Sequence, residues 1–134
     1  MNKRLLAICF AIGMLLLASL ACEVSASTAK ISSAIMTAED STSGMETATF
    51  MPDQTFYCVV VLDNAPDDTK VKAVWYTVDD GGAATKLIDK EIVGGNSPIT
   101  FNASNNGPWP VGKYKVELYL NDKLDKTLEF SVAE

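Results

Sequence analysis

The chain has 134 residues, of which 48% are hydrophobic and 21% charged, a composition that fits one globular domain with a hydrophobic core. Its formal net charge is -6, and setting aside Lys3 and Arg4 of the N-terminal segment leaves 9 basic and 17 acidic residues, a net of -8. This balance argues against nucleic acid as a partner, and the absence of histidine removes the commonest general base and transition-metal ligand, which disfavours an enzyme.

Residues 1–22, MNKRLLAICFAIGMLLLASLAC, have the layout of an export signal. Lys3 and Arg4 form a basic start, an uncharged apolar stretch follows from Leu5, and small residues close the segment. We therefore predict a signal helix that stands apart from the folded domain. The apolar stretch is also about long enough to span a bilayer, so an uncleaved anchor is an alternative.

The end of this segment, Ser19-Leu20-Ala21-Cys22, resembles the lipobox of bacterial lipoproteins, whose cysteine is acylated and becomes the mature N-terminus. The resemblance implies lipidation of Cys22 and attachment to a membrane. Ala21 fits the family pattern, whereas Ser19 and Leu20 depart from the preferred leucine and small residue. Ordinary cleavage after residues 24–26, VSA, would instead release a secreted protein. The small and polar residues 23–30 predict a short tether.

From residue 30 onward the pattern predicts strands. Residues 113–120, KYKVELYL, alternate apolar and polar side chains, and residues 55–63, TFYCVVVLD, are almost continuously β-branched or aromatic. Turn residues separate the runs, and no stretch keeps a helical period. The predicted strands are 30–38, 55–63, 70–78, 85–93, 97–102, 113–120 and 124–132. About seven short antiparallel strands in one domain are typical of a β-sandwich.

Three residues give residues 31–134 a resemblance to immunoglobulin-like and fibronectin type III-like sandwiches. Trp75 lies in the third predicted strand, where these folds bury a tryptophan. Tyr114 begins the sixth strand after a Pro-x-Gly sequence, similar to the tyrosine corner, whose hydroxyl bonds back to the preceding loop. Cys58 lies in the second strand, at the first disulfide position of antibody domains, but Val116 occupies the second position. The resemblance is therefore to the wider sandwich class.

Two candidate sites have simpler structural explanations. Cys58 could be a redox or intermolecular disulfide site, but it shares a face with Phe56, Val60 and Leu62, and we expect a core residue. The acidic loops at 63–68 and 79–80 could supply oxygen ligands to Ca²⁺ at one end of the sandwich, although the spacing of a calcium loop is missing. We expect solvated turns there.

The aromatic residues offer a third candidate. Tyr76, Tyr119 and Trp109 could form a stacking platform for a sugar, since both tyrosines have outward-facing positions. For Trp109 we expect packing over the end of the core, beside Tyr114. A protease inhibitor of this fold is a further alternative, although the loop at 63–69 lacks the inhibitory pattern.

The sequence thus predicts a non-catalytic extracytoplasmic binding or structural module, tethered to a membrane through lipidated Cys22. Its further partner would be a protein or another envelope component, and no nucleic acid. No catalytic, cofactor or metal site is predicted. The alternative function is a secreted carbohydrate-binding or protease-inhibitor-like domain.

Overall fold

Each of the seven predicted strands is present in the computed structural model, which describes residues 28–134, and one short strand joins them. The strands are β1 (Lys30–Thr37), β2 (Thr49–Phe50), β3 (Phe56–Asp63), β4 (Lys70–Val78), β5 (Ala84–Val93), β6 (Ile99–Ala103), β7 (Gly112–Leu120) and β8 (Lys123–Val132). They form a three-stranded sheet, β1-β3-β6, and a five-stranded sheet, β2-β8-β7-β4-β5. The all-β sandwich is confirmed, and the predicted signal helix and most of the tether lie outside the described residues.

The short strand β2 adds an eighth strand to the seven that the sequence predicts. Thr49 and Phe50 pair in parallel with Ser131 and Val132 of β8, so the sandwich has eight strands and one parallel pair. Two residues are too few to give a period of two in the sequence. The strand forms because Phe50 is buried in the core and its carbonyl accepts the Ala133 N–H at 3.0 Å.

The strand directions give the sandwich two distinct ends. The chain enters at Lys30, which pairs with Asp63, and the connections 64–69, 94–98 and 121–122 lie at that entry end. The connections 38–48, 51–55, 79–83 and 104–111 lie at the opposite, far end. From β3 onward the connections alternate between the two ends, because each strand carries the chain from one end to the other. The two-residue strand β2 is too short to do so, and the connections on both sides of it lie at the far end.

Inward-facing residues of both sheets form one core. In β3 the inward positions are Phe56, Cys58, Val60 and Leu62, each at most 1% exposed, as the alternation predicts. Phe56 contacts five aromatic rings, with centroid distances of 4.5 Å to Trp109, 4.8 Å to Phe130, 4.9 Å to Phe50, 5.5 Å to Tyr114 and 6.2 Å to Trp75. These rings place the aromatic part of the core at the far end.

The turn before β7 is a tyrosine corner, as the sequence predicts. The Tyr114 hydroxyl donates a hydrogen bond to the Pro110 carbonyl at 2.6 Å. Trp109 is 8% exposed, its ring stacks on Phe56, and its indole N–H donates to the Gln54 carbonyl at 3.0 Å. The expectation that Trp109 packs over the end of the core is confirmed.

The five-stranded sheet contains one tight hairpin and one open edge strand. Asn121 and Asp122 both have positive φ, 48° and 69°, which makes the β7–β8 connection a two-residue hairpin of the type that matches strand twist. Strand β5 forms the edge of the sheet that is farthest from β2, and nearly all of its residues are exposed. Leu87 is inserted in it as a bulge opposite β4.

The two tryptophans should respond differently to replacement by phenylalanine. The indole nitrogen of Trp75 is buried without a hydrogen-bond partner within residues 28–134, whereas that of Trp109 donates to Gln54. We expect Trp109→Phe to cost about 2–3 kcal/mol of unfolding free energy and Trp75→Phe about 1 kcal/mol or less, because the latter removes an unsatisfied donor. Urea unfolding of the two variants measures the difference, and the reverse order would contradict this account.

Candidate functional site

The outer side of the five-stranded sheet carries a connected group of polar and aromatic side chains. Register places Lys72 of β4 opposite Tyr119 of β7, and Tyr76 opposite Lys115. Between these two pairs lie Val74, which is 5% exposed, and Glu117 opposite it. We call this surface the tyrosine–lysine face, formed by Lys72, Tyr76, Lys115, Glu117 and Tyr119.

Each lysine of the face lies against the ring of the tyrosine opposite. The Nζ atom of Lys72 is 4.9 Å from the ring centroid of Tyr119, and that of Lys115 is 5.0 Å from the centroid of Tyr76. Both distances are within the range of cation–π attraction. The face therefore has a fixed internal arrangement.

Glu117 connects the two halves of the face. Its Oε1 accepts a hydrogen bond from the Tyr119 hydroxyl at 3.3 Å, and its Oε2 is 3.5 Å from the Nζ of Lys115. The side chains of Lys115 and Glu117 are 25% and 15% exposed. Such partial burial strengthens charge interactions relative to open water.

Burial raises the pKa of Tyr76 to about 12, and the nearby Glu117 carboxylate adds to this increase because a second negative charge is unfavourable beside it. Burial, followed by Glu117, also raises the pKa of Tyr119. Both phenols therefore stay neutral near pH 7 and can donate hydrogen bonds. The face presents donors, ring edges and charges of both signs.

The proposed sugar platform of three aromatic rings is not assembled. Tyr76 and Tyr119 share the tyrosine–lysine face, but Trp109 is packed in the core at the far end. One side of each tyrosine ring is also occupied by a lysine. A sugar would have to displace that lysine in order to stack there.

Cys58 is a core residue, as the alternation predicts. It is fully buried, unpaired, and its neighbours on the strand face are apolar. Burial raises the pKa of the Cys58 thiol to about 12, because the thiolate would lose its hydration. A thiol in this state is inert toward disulfide exchange.

The two acidic loops lie at opposite ends of the sandwich, contrary to the arrangement that a shared calcium site requires. Asp67 and Asp68 are in the entry-end connection before β4, and Asp79 and Asp80 follow β4 at the far end. The nine residues of β4 separate the loops by roughly 30 Å. Within residues 28–134 no group of three or more His, Cys, Asp or Glu side chains could hold a metal ion.

An open depression of about 480 Å³ lies at the far end of the five-stranded sheet, and none of the five residues of the tyrosine–lysine face lines it. Asp79, Asp80, Lys113 and Glu129 contribute its charged lining. Asp79 already accepts the Ala83 N–H at 2.8 Å, which accounts for its position in the turn. The depression is therefore an open polar surface that forms no enclosed site.

Comparison with solved structures supports the immunoglobulin-like fold. An immunoglobulin-like protein from Pseudomonas aeruginosa matches with a TM-score of 0.51 and 13% identity, over 78% of this chain and 96% of the other. The alkylpurine DNA glycosylase AlkC of Pseudomonas fluorescens, bound to DNA containing an abasic site analogue, matches with a TM-score of 0.50 and 16% identity. That match covers 79% of this chain but 30% of the glycosylase.

Neither protein-family models nor curated proteins give a match. The structural matches therefore establish that residues 28–134 form an immunoglobulin-like β-sandwich, at an identity that speaks for fold alone. No helix within this range is long and apolar enough to cross a membrane. Cys22, the predicted lipidation site, lies outside the described residues.

The sequence pointed to part of this face. The sequence predicts that Tyr76 and Tyr119 face outward, but it does not indicate that Lys72, Lys115 and Glu117 are their partners. The same alternation gives all of them an outward position. Only the pairing register between β4 and β7 shows which side chains are opposite each other, and the sequence of either strand alone does not determine that register.

Titration of Tyr76 tests the electrostatics of the face. The pKa of Tyr76 in the folded chain, about 12, lies above the ordinary value of 10.0. The contribution of the neutral phenol to the free energy of unfolding is therefore complete below pH 10 and is lost as the pH rises toward 12. Glu117→Gln should lower the pKa of Tyr76, because it removes the neighbouring carboxylate. The ring-carbon NMR shift of Tyr76 measures this pKa, with Glu39→Gln in the exposed 38–48 connection as the control. A Tyr76 that titrates near 10 in the unaltered chain would contradict the described environment.

Proposed function

We propose that this immunoglobulin-like chain is a non-catalytic binding module, held at the cell envelope by lipidated Cys22, and that the tyrosine–lysine face binds a protein partner. The observation that carries the proposal is the connected arrangement of Lys72, Tyr76, Lys115, Glu117 and Tyr119. No strand of the described range covers this side of the sheet. A partner can therefore reach it directly.

Three physical properties favour binding at this face. β7 is the middle strand of the five-stranded sheet, and β4 lies beside it, so the backbone beneath the face is fixed by pairing on both sides. The lysines and tyrosines already restrict one another, which reduces the entropy lost on association. Tyrosine also supplies a large apolar area with a hydrogen-bonding tip, a combination enriched where binding energy concentrates.

The anchoring part of the proposal rests on residues 1–30. The lipobox-like end at Cys22 supplies the lipid attachment, and the small polar residues that follow supply the tether. The residues from 23 to 30 could extend up to about 28 Å. Because the chain enters the sandwich at Lys30, the far end would project away from the membrane.

DNA is not the partner that we propose, although one similar structure contains it. The glycosylase was solved with DNA, and this chain matches less than a third of that protein. The exported part of this chain carries 17 acidic and 9 basic residues, which repels phosphates. A protein surface of mixed charge fits the tyrosine–lysine face better.

Mass spectrometry of the mature N-terminus tests the anchor. We expect the processed chain to begin at Cys22 with added acyl mass, and we expect Cys22→Ser to abolish that mass, because serine has no thiol to accept the acyl group. An unmodified chain that begins at Ser27 would overturn the lipoprotein assignment.

Substitution of the two tyrosines tests the binding surface. We expect Tyr76→Ser combined with Tyr119→Ser to reduce crosslinked capture of the native envelope partner at least about tenfold, because buried tyrosines at an interface commonly contribute this much. Tyr57→Ser provides a matched control, since Tyr57 is a half-buried, outward-facing tyrosine on the three-stranded sheet.

The control and the captured material decide between the explanations. An equal loss in Tyr57→Ser would show that the tyrosine–lysine face is not the binding surface. Retention of polysaccharide alone, with no crosslinked protein, would replace the protein-binding proposal with the carbohydrate-binding alternative. Circular dichroism of each variant checks that the sandwich has kept its strands.

A further inference from the structure

The far end of the sandwich is strongly acidic. Its connections, residues 38–48, 51–55, 79–83 and 104–111, contain six acidic residues and no basic residue. All six are exposed, and none forms an ion pair within the described range: Glu39, Asp40, Glu46, Asp53, Asp79 and Asp80. When strand ends are included, the far end gains one basic residue, Lys113 of β7, whereas Lys30, Lys70 and Lys123 offset most of the acidic residues at the entry end.

Exposed apolar side chains occur among these acidic residues. Met45, Met51 and Val111 are 86%, 54% and 60% exposed, and each belongs to a far-end connection. At the entry end the exposed large hydrophobic residues lie in the strands: Val93 at the end of β5 is 56% exposed and Leu124 near the start of β8 is 48% exposed. Exposed methionine is well suited to binding, because its flexible and polarisable side chain adapts to different apolar surfaces.

Hydrogen bonds order the 51–55 connection and join it to the 104–111 connection. The Met51 N–H donates to the side chain of Gln54 at 2.8 Å, and the Trp109 N–H donates to the Pro52 carbonyl at 2.7 Å. Glu46 pairs with Thr37 at the end of β1. Met45, Glu46 and Gln54 also line one shallow cavity of about 310 Å³. Met51 and Val111 therefore lie on two connected loops, and the shared cavity places Met45 beside the first of them.

From this combination we infer that the far end is a docking surface for a basic amphipathic segment of another protein. Met45, Met51 and Val111 would contact the apolar side of that segment, and the six carboxylates would pair with its lysines or arginines. A second copy of this chain does not fit, because its own far end has the same negative charge. This surface is separate from the tyrosine–lysine face, and neither assignment depends on the other.

Synthetic peptides test this assignment on the full chain in neutral detergent. The first probe is a 14-residue peptide of lysine and leucine in amphipathic helical order, and the second replaces every leucine with serine at equal charge. We expect the lysine–leucine peptide to bind at least about fivefold more tightly, because only it can cover exposed methionine. Amide NMR shifts should locate the contact at residues 38–55 and 104–111.

Charge reversal at the two ends provides the matched comparison. Glu46→Lys with Asp53→Lys should weaken binding of the lysine–leucine peptide about tenfold, because two favourable charge pairs become repulsive. Asp67→Lys with Asp68→Lys makes the same change in net charge at the entry end and should change the affinity less than about twofold. Met45→Ser with Met51→Ser should remove the preference for leucine over serine peptides.

Each contrary result overturns the inference. If both charge-reversal variants lose affinity equally, the peptide responds to net charge and the far end is no specific surface. If the serine peptide binds as tightly as the leucine peptide, the exposed methionines have no binding role. If the unaltered chain binds neither peptide in isothermal titration at low salt, the docking surface does not exist.

Discussion

The stacking of Phe56 on Trp109 is the contact on which the far half of the sandwich depends. Phe56 begins β3 in the three-stranded sheet, while Trp75, Tyr114 and Phe130 reach it from the five-stranded sheet. Trp109 reaches it from the connection that crosses between the sheets and ties that connection to Pro52 and Gln54. The Phe56 ring therefore joins both sheets to the loop that precedes the tyrosine corner. The position of the far-end loops follows from this packing.

The sequence predicts the parts of this fold that depend on local pattern. Alternation located seven strands, and the Pro-x-Gly sequence before Tyr114 indicated the corner, because these signals lie within a few residues of each other. It could not predict β2, which exists because Phe50 fits the core beside β8. The separation of the two acidic loops, which removes the calcium alternative, depends on the direction of the intervening strand β4.

The two proposed surfaces combine similar ingredients in different ways. On the tyrosine–lysine face each charge has an internal partner, so the surface is ordered and nearly balanced. At the far end the carboxylates have no ion-pair partner among the described residues, and the apolar side chains are exposed. A surface whose charges balance selects partners through shape and hydrogen bonds, whereas a surface with net charge attracts oppositely charged partners over a longer range. The binding rate at the far end would consequently respond more strongly to ionic strength.

The exposed edge strand β5 affects how copies of this chain behave at high local density. An antiparallel pair of two β5 strands that is centred on position 89, 90 or 91 aligns that residue with its own copy. Each such alignment places like charges together: Asp89 against Asp89, Lys90 against Lys90, or Glu91 against Glu91. Like charges directly opposite one another weaken strand pairing. The three charged residues in the middle of β5 therefore oppose these central registers along an edge strand of ten residues.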